Sequence, residues 1–411
     1  ILNQPAAATL FYAYDIARDR AVAQTRLYVA DTLNSRIVGV ECAGSDCALT
    51  TFSAATRVFG QPGFADFHQN GGVLGAVSAT TMNFPHGVAV DAAGALYVAD
   101  TANNRVLIFQ NPWNDATADA VLGQSSFSGA GAGRGLGELR APEGVFVDTG
   151  GALWVADTGN NRVLKFTTLT TGAGAAFAIG AGGGASATTL SGPRDVEVDA
   201  GGALWVADTG FSRVLRYAPP LTAGKAATTV FGHAGSFTNG SANQGGLGAG
   251  SLAAPEKVHV DDSGRLWVAD SANNRVLEFD APLTSQVAQR VYGQADRNQA
   301  ATFTTSTHDA PDGFPNAAGL WGPRGLLVDG GGRLWVADRD NSRLLGFDTP
   351  LGGGTAPVVA DRVLGKPDFV DALSNFGNAL RAVGRGEEAF ALFRRALRRL
   401  HWSPGLSCLP C

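Results

Sequence analysis

One phrase recurs six times along the chain: RLYVADTLNSRIVGV from Arg26, ALYVADTANNRVLIF from Ala95, ALWVADTGNNRVLKF from Ala152, ALWVADTGFSRVLRY from Ala203, RLWVADSANNRVLEF from Arg265 and RLWVADRDNSRLLGF from Arg333. Its Asp falls at 31, 100, 157, 208, 270 and 338. A unit that recurs every 51–69 residues cannot bury both its faces alone, so the copies must pack on one another. A second phrase precedes five copies: PHGVAVD from Pro85, PEGVFVD from Pro142, PRDVEVD from Pro193, PEKVHVD from Pro255 and PRGLLVD from Pro323. A third follows all six: VFGQ at Val58, VLGQ at Val121, AIGA at Ala178, VFGH at Val230, VYGQ at Val291 and VLGK at Val363. Each unit thus reads as four short β-branched or aromatic runs separated by Gly, Asn and Asp turns, the pattern of consecutive antiparallel strands. Six such units predict an all-β, six-bladed β-propeller of four-stranded antiparallel blades over residues 1–369.

Composition agrees and narrows the function. Of 411 residues 55 are Gly, well above the usual share of about 7%, and the formal charge is -5. Nucleic-acid binders carry a basic footprint, so DNA or RNA is not an expected partner. Only four of the 31 basic residues are Lys, a bias that a GC-rich genome produces and that carries no functional weight. No run is long and apolar enough for a membrane helix. The chain begins at Ile1 without a Met or a leader, as in a fragment or a mature exported form; the expectation is a secreted, periplasmic or cell-surface protein.

Alternation along the second strand sends Tyr28, Tyr97, Trp154, Trp205, Trp267 and Trp335 to one side, so these aromatics are expected between blades. The Asp and the Arg five positions later bracket a Thr-x-Asn-Asn-like loop and are expected to lock that hairpin. The Asp-x-x-Gly before each second strand reads as a hairpin turn rather than a calcium loop, because further alternate oxygens are missing.

The wording V-D-x-x-G-x-L-[YW]-V-A-D-T-x-N-N-R-V resembles the NHL repeat, a family of β-propeller modules, over about nine-tenths of the chain. The first copy departs: LFYAYDIARDRAVAQ from Leu10 stands where the inner-strand phrase belongs, and RVLGKPDF from Arg362 would supply the last strand of blade six. The resemblance implies binding of proteins, RNA or small ligands, and fold alone does not choose among them. A lyase branch that finishes peptide amidation is similar in architecture and holds zinc with three His at the channel. Here the corresponding slot, after the motif Pro, holds His86, Glu143, Arg194, Glu256 and Arg324, with one His where three are wanted.

These five residues begin the inner strands and form the candidate ligand-binding channel mouth; mutual neutralisation of a solvated pore is the plainer account. Glu197 and His259 share a register in neighbouring blades and are a candidate pair, a Glu orienting a general base or a satisfied core His. No metal, no cofactor and no catalytic residue is expected. Long unequal segments, 61–84, 124–141, 233–254 and 294–322, carry Phe64, Phe67, Phe127, Phe237, Phe303, Phe314 and Trp321, either a partner-binding face or plugs for their own blades. The leading expectation is a non-enzymatic binding scaffold that presents these loops and the channel mouth to a protein, peptide or glycan. The alternative is a metal- or ligand-assisted lyase or hydrolase at the channel, working through His86, Glu143 and Glu256.

Cys42 and Cys47 enclose Ala-Gly-Ser-Asp and fit a local disulfide of an oxidising compartment. Cys408 and Cys411 form a C-x-x-C with no helix start or His partner to support a role. From residue 370 to 411 the period becomes helical. Gly377, Gly384, Ala389, Phe393 and Ala396 resemble a single tetratricopeptide unit, which implies a short C-terminal α-helical hairpin. One unit leaves an apolar face uncovered, so it is expected to dock on the propeller, to self-associate, or to begin a longer array.

Overall fold

A computed structural model of the chain describes residues 6, 7, 9–19, 21, 26–41, 54–72, 76–294, 301–309, 315–348 and 358–365. Its local structure follows from the repeated phrase. In the fourth copy the strand Leu204–Asp208 pairs antiparallel with Asp195–Val198 before it and Arg213–Tyr217 after it. Trp205 lies opposite Glu197 and Arg216, and Val206 opposite Val196 and Leu215. Between second and third strands runs one 3₁₀ turn, Thr209–Phe211, closed by Ser212 at φ 49°. Asn104, Asn161 and Asn274 hold that left-handed position in other copies, where a short polar side chain is tolerated.

The Asp-x-x-Gly turn is tied to the inter-blade aromatic. Asp199 Oδ1 accepts the Ala203 N–H at 2.9 Å, Gly202 takes φ +79°, and Asp199 Oδ2 accepts the Trp205 indole N–H at 2.8 Å. The same bond recurs at Trp154, Trp267 and Trp335, and from the Tyr97 hydroxyl to Asp91. A buried indole thereby keeps its polar edge satisfied.

Six four-stranded antiparallel sheets result, each of four consecutive strands. Their inner strands are Ala13–Asp19, Pro85–Val90, Val145–Val147, Asp195–Val198, Pro255–Val260 and Pro323–Val328; the sixth blade ends with Arg362–Gly365. The fold is an all-β six-bladed propeller. LFYAYDIARD does form the first inner strand, although it lacks the phrase of the other five. Trp154 and Ala156 of blade 3 pack on Leu204, Val206 and Leu215 of blade 4, and each blade meets the next in the same way. Trp335 and Ala337 of blade 6 pack on Ile16, Leu27 and Val29 of blade 1, which closes the ring. Truncating one such buried indole typically costs about 3–5 kcal/mol.

The expected helical hairpin of 370–411, the Cys42–Cys47 disulfide, Cys408, Cys411 and Phe314 lie outside the described residues. Among the described residues the helical elements are single 3₁₀ turns. None of their helices is long and apolar enough to cross a membrane, which says nothing of a β-barrel.

Candidate functional site

Most of the chemistry repeated from blade to blade is scaffold. In blade 4, Arg213 donates from Nε to Asp208 Oδ2 at 2.7 Å, from Nη2 to the Ser186 and Thr189 carbonyls at 2.9 Å, and from Nη1 to the Phe237 carbonyl at 2.6 Å. Arg36, Arg105 and Arg275 bind the carbonyls of Phe64, Phe127 and Phe303 in the same way. These four Phe rings are partly buried against the blade cores. His233 stands in for the Gln of other copies: it is buried, with Nε2 at 2.9 Å from the Phe211 carbonyl, as Gln124 Nε2 is from that of Asn104. Phe67 and Trp321 differ, being 44% and 41% exposed and stacked on His68 and His308.

The inner strands are irregular at their start. Pairing shifts between Ala13 and Ile16, Pro85 and Val88, Pro255 and Lys257, and Pro323 and Leu326. Bulges of this kind re-aim a side chain. His86, Glu143, Arg194, Glu256 and Arg324 are brought together at one end of the channel, and a sixth residue, Tyr14 of blade 1, joins them. The Tyr14 hydroxyl donates to Glu143 Oε2 at 2.6 Å and accepts from Arg194 Nη1 at 3.0 Å and from Arg324 Nη1. Its ring stacks on His86 at 3.8 Å and lies 4.2 Å beneath the Arg324 guanidinium. Arg194 also reaches Glu256 at 3.2 Å, and Arg324 pairs with that same carboxylate.

Charge states follow from these contacts. Burial works against ionisation of Glu143, but His86, Arg194 and the Tyr14 hydroxyl outweigh it and hold the carboxyl at about 2. Burial lowers His86, whose Nδ1 is 3.5 Å from Glu143, beyond a full hydrogen bond. Burial first, then Glu143, raises the Tyr14 hydroxyl. The space left among these side chains is about 10 Å³, room for roughly one water centre. This end of the channel is a closed polar plug.

Tyr14 was legible, had the Asp been used as the ruler. Asp19, Asp91, Asp148, Asp199, Asp261 and Asp329 each stand five residues after their slot residue, which places Tyr14 with His86. The same count gives a second layer of Asp15, Gly87, Gly144, Asp195, Lys257 and Gly325. Lys257 Nζ sits 3.1 Å from both Asp15 Oδ2 and Asp195 Oδ1. Burial disfavours its charge, yet the two carboxylates raise its pKa; burial likewise lifts Asp195 above the ordinary carboxyl range.

Below this layer the channel opens into a chamber of about 390 Å³, walled by residues such as Ala89, Phe146, Val147, Val198, Val260 and Leu327. Glu197 and His259 line it, with His259 Nδ1 3.1 Å from Glu197 Oε2 and the Val260 N–H donating to Glu197 Oε1 at 3.0 Å. Burial lowers the imidazole pKa, but the carboxylate of Glu197 more than restores it, and the net shift is upward. Among the described residues no group of three or more His, Cys, Asp or Glu is placed to hold a metal ion.

Four segments of the chain, 82–109, 139–166, 252–279 and 320–347, match the NHL repeat. No curated protein sequence matches. Among solved structures, a streptogramin B lyase is similar at 11% identity over 84% of this chain and 82% of that one, with a TM-score of 0.45. A gluconolactonase from Xanthomonas campestris is similar at 14% identity over 88% of each chain, TM-score 0.44. An auxiliary nutrient binding protein from Bacteroides thetaiotaomicron is similar at 13% identity over 82% of this chain and 68% of that one, TM-score 0.49. At these levels the likeness concerns the propeller fold.

Proposed function

We propose that the protein is a binding propeller that takes a polypeptide partner on the face where the inner strands begin, over blades 6 and 1. The observation that carries this reading is a comparison of equivalent positions. Phe11, Asn83, Arg140, Ser191, Ala253 and Trp321 each donate a backbone N–H to the motif Asp of their own blade at 2.6–2.7 Å. Four blades fill that position with a polar residue or Ala. Blades 1 and 6, neighbours in the ring, fill it with Phe11 and Trp321, 38% and 41% exposed.

The two are joined across the surface. The Asp340 N–H donates to the Trp321 carbonyl at 3.2 Å, Arg339 pairs with Asp340, and the Arg339 guanidinium lies 4.9 Å over the ring of Tyr12, next to Phe11. Grouped exposed aromatics with an Arg are the composition of interface hot spots, and two exposed rings at equivalent positions of neighbouring blades go beyond the singly scattered apolar residues of an ordinary free surface. A metal- or ligand-assisted lyase or hydrolase at the adjoining channel mouth would need His86, Glu143 and Glu256 released from Tyr14, Arg194 and Arg324, so it takes second place.

Photo-crosslinking tests the proposal. Benzoylphenylalanine at position 321 and at position 11, irradiated in extracts of the source cells, should capture the same polypeptide, while position 140 captures none; a Phe11→Ala, Trp321→Ala chain with a probe at 339 should lose it. Equal capture from 140, or none from 11 and 321, overturns the reading.

A further inference from the structure

We infer that the chamber at the other end of the channel is a second, independent site, for a small apolar carboxylic acid whose carboxyl head meets His259. The chamber is dead-ended by the plug and by the Lys257 layer, so whatever enters it comes from the side of the Asp-x-x-Gly turns. Its volume of about 390 Å³ lies within the range of about 300–1,000 Å³ typical of small-molecule pockets.

Its walls are graded. The ring nearest the opening places Arg18 among Val90, Val147, Val198 and Val260, four valines and one cation; the ring beneath holds Ala17, Ala89, Phe146, Leu327 and the Glu197–His259 pair. Three of the acids at the rim are turned away. Asp91, Asp199 and Asp261 each spend one oxygen on their own turn and the other on the Tyr97 hydroxyl or the Trp205 or Trp267 indole N–H. Within the deeper ring, His259 keeps one ring nitrogen, Nε2, without a partner.

Glu197 fixes which end of that imidazole is available. With Nδ1–H donated to the carboxylate, the unpartnered polar atom is Nε2. A carboxyl group suits it in either state, since a neutral ring accepts the acid proton and a protonated ring donates to the carboxylate. A buried polar atom left without a partner costs about 1–3 kcal/mol, which a ligand head would relieve. The apolar walls then receive the hydrocarbon body.

Octanoate is the probe, with octanol as its headless counterpart, titrated calorimetrically into the full chain. The expected result is saturable uptake of one octanoate per chain, with octanol at least tenfold weaker. His259→Leu should weaken octanoate at least tenfold; Val147→Trp, which narrows the chamber without touching the pair, should abolish uptake while the melting temperature stays near the parent value. Absence of saturable uptake, or undiminished uptake by Val147→Trp, overturns the site. Equal affinity for octanol, or an unaffected His259→Leu, overturns the assignment of the carboxyl head.

Discussion

Tyr14 carries more of the channel plug than any other single side chain, because its hydroxyl is shared by Glu143, Arg194 and Arg324. Tyr14→Phe keeps the ring that stacks on His86 and removes only that oxygen. Leaving charged partners unsatisfied in a buried setting costs about 1–3 kcal/mol, so urea unfolding should show a loss of that order with octanoate uptake unchanged. Glu143 makes a pH-dependent contribution of known sign. Its folded pKa of about 2 lies below the ordinary 4.5, so the stabilisation is complete above pH 4.5 and is lost as pH falls towards 2. At about 1.4 kcal/mol per unit, Glu143→Gln should cost on the order of 3 kcal/mol at pH 7 and almost nothing near pH 2, checked by denaturation across that range.

The blade is the element in which sequence and structure agree most closely, and the motif Arg shows why. Arg213 satisfies a carboxylate and three carbonyls with its side chain fully buried, whereas Arg162 in blade 3 is 13% exposed and reaches carbonyls of the more open segment 134–138. Lys cannot reproduce the planar fork, so Arg213→Lys should destabilise by about 3–5 kcal/mol and Arg162→Lys by visibly less in parallel thermal melts. Strand order, turn chemistry and the inter-blade aromatics were legible because each is written six times and depends on local periodicity. The channel was legible only in part. His86, Glu143, Arg194, Glu256 and Arg324 could be named from their slot, but their closure around Tyr14 depends on a blade that lacks the slot phrase. Phe64, Phe127 and Phe237 looked alike with Phe67 and Trp321 in the sequence; what separates them is a backbone carbonyl offered to an Arg about 22–28 residues before it, a long-range pairing that composition does not record.

At the scale of the whole ring, five junctions between blades are crossed by the chain and one is not. At the five, a hydroxyl of the preceding blade clips the next inner strand: Thr32, Thr101, Thr158, Thr209 and Ser271 donate to the carbonyls of Pro85, Pro142, Pro193, Pro255 and Pro323. Blade 6 has Arg339 at that position, which lies over Tyr12 instead. The seam between blades 6 and 1 therefore rests on Trp335 packing, the Arg324 contacts with the Tyr14 hydroxyl and ring, the Tyr12 N–H bond to Ser342 Oγ at 3.4 Å, and the close approach of Gly325 to the Asp15 backbone, where a Cβ would meet the Asp15 Cα at 2.6 Å. Amides of Ala13–Asp19 and Pro323–Val328 should exchange with deuterium sooner than those of Asp195–Val198, because opening there breaks neither a clip nor a connection. Arg339→Thr should restore the hydroxyl and add about 0.5–1.5 kcal/mol, read as a raised midpoint in the same experiment. Since non-covalent contacts hold this junction, the position of the chain termini is not dictated by the ring. The short connector 180–194, which already links blade 3 to blade 4, sets the length that would join Gly365 to blade 1, and a circular permutant opened within 233–254 would place the polypeptide break between blades 4 and 5 of an otherwise unchanged propeller.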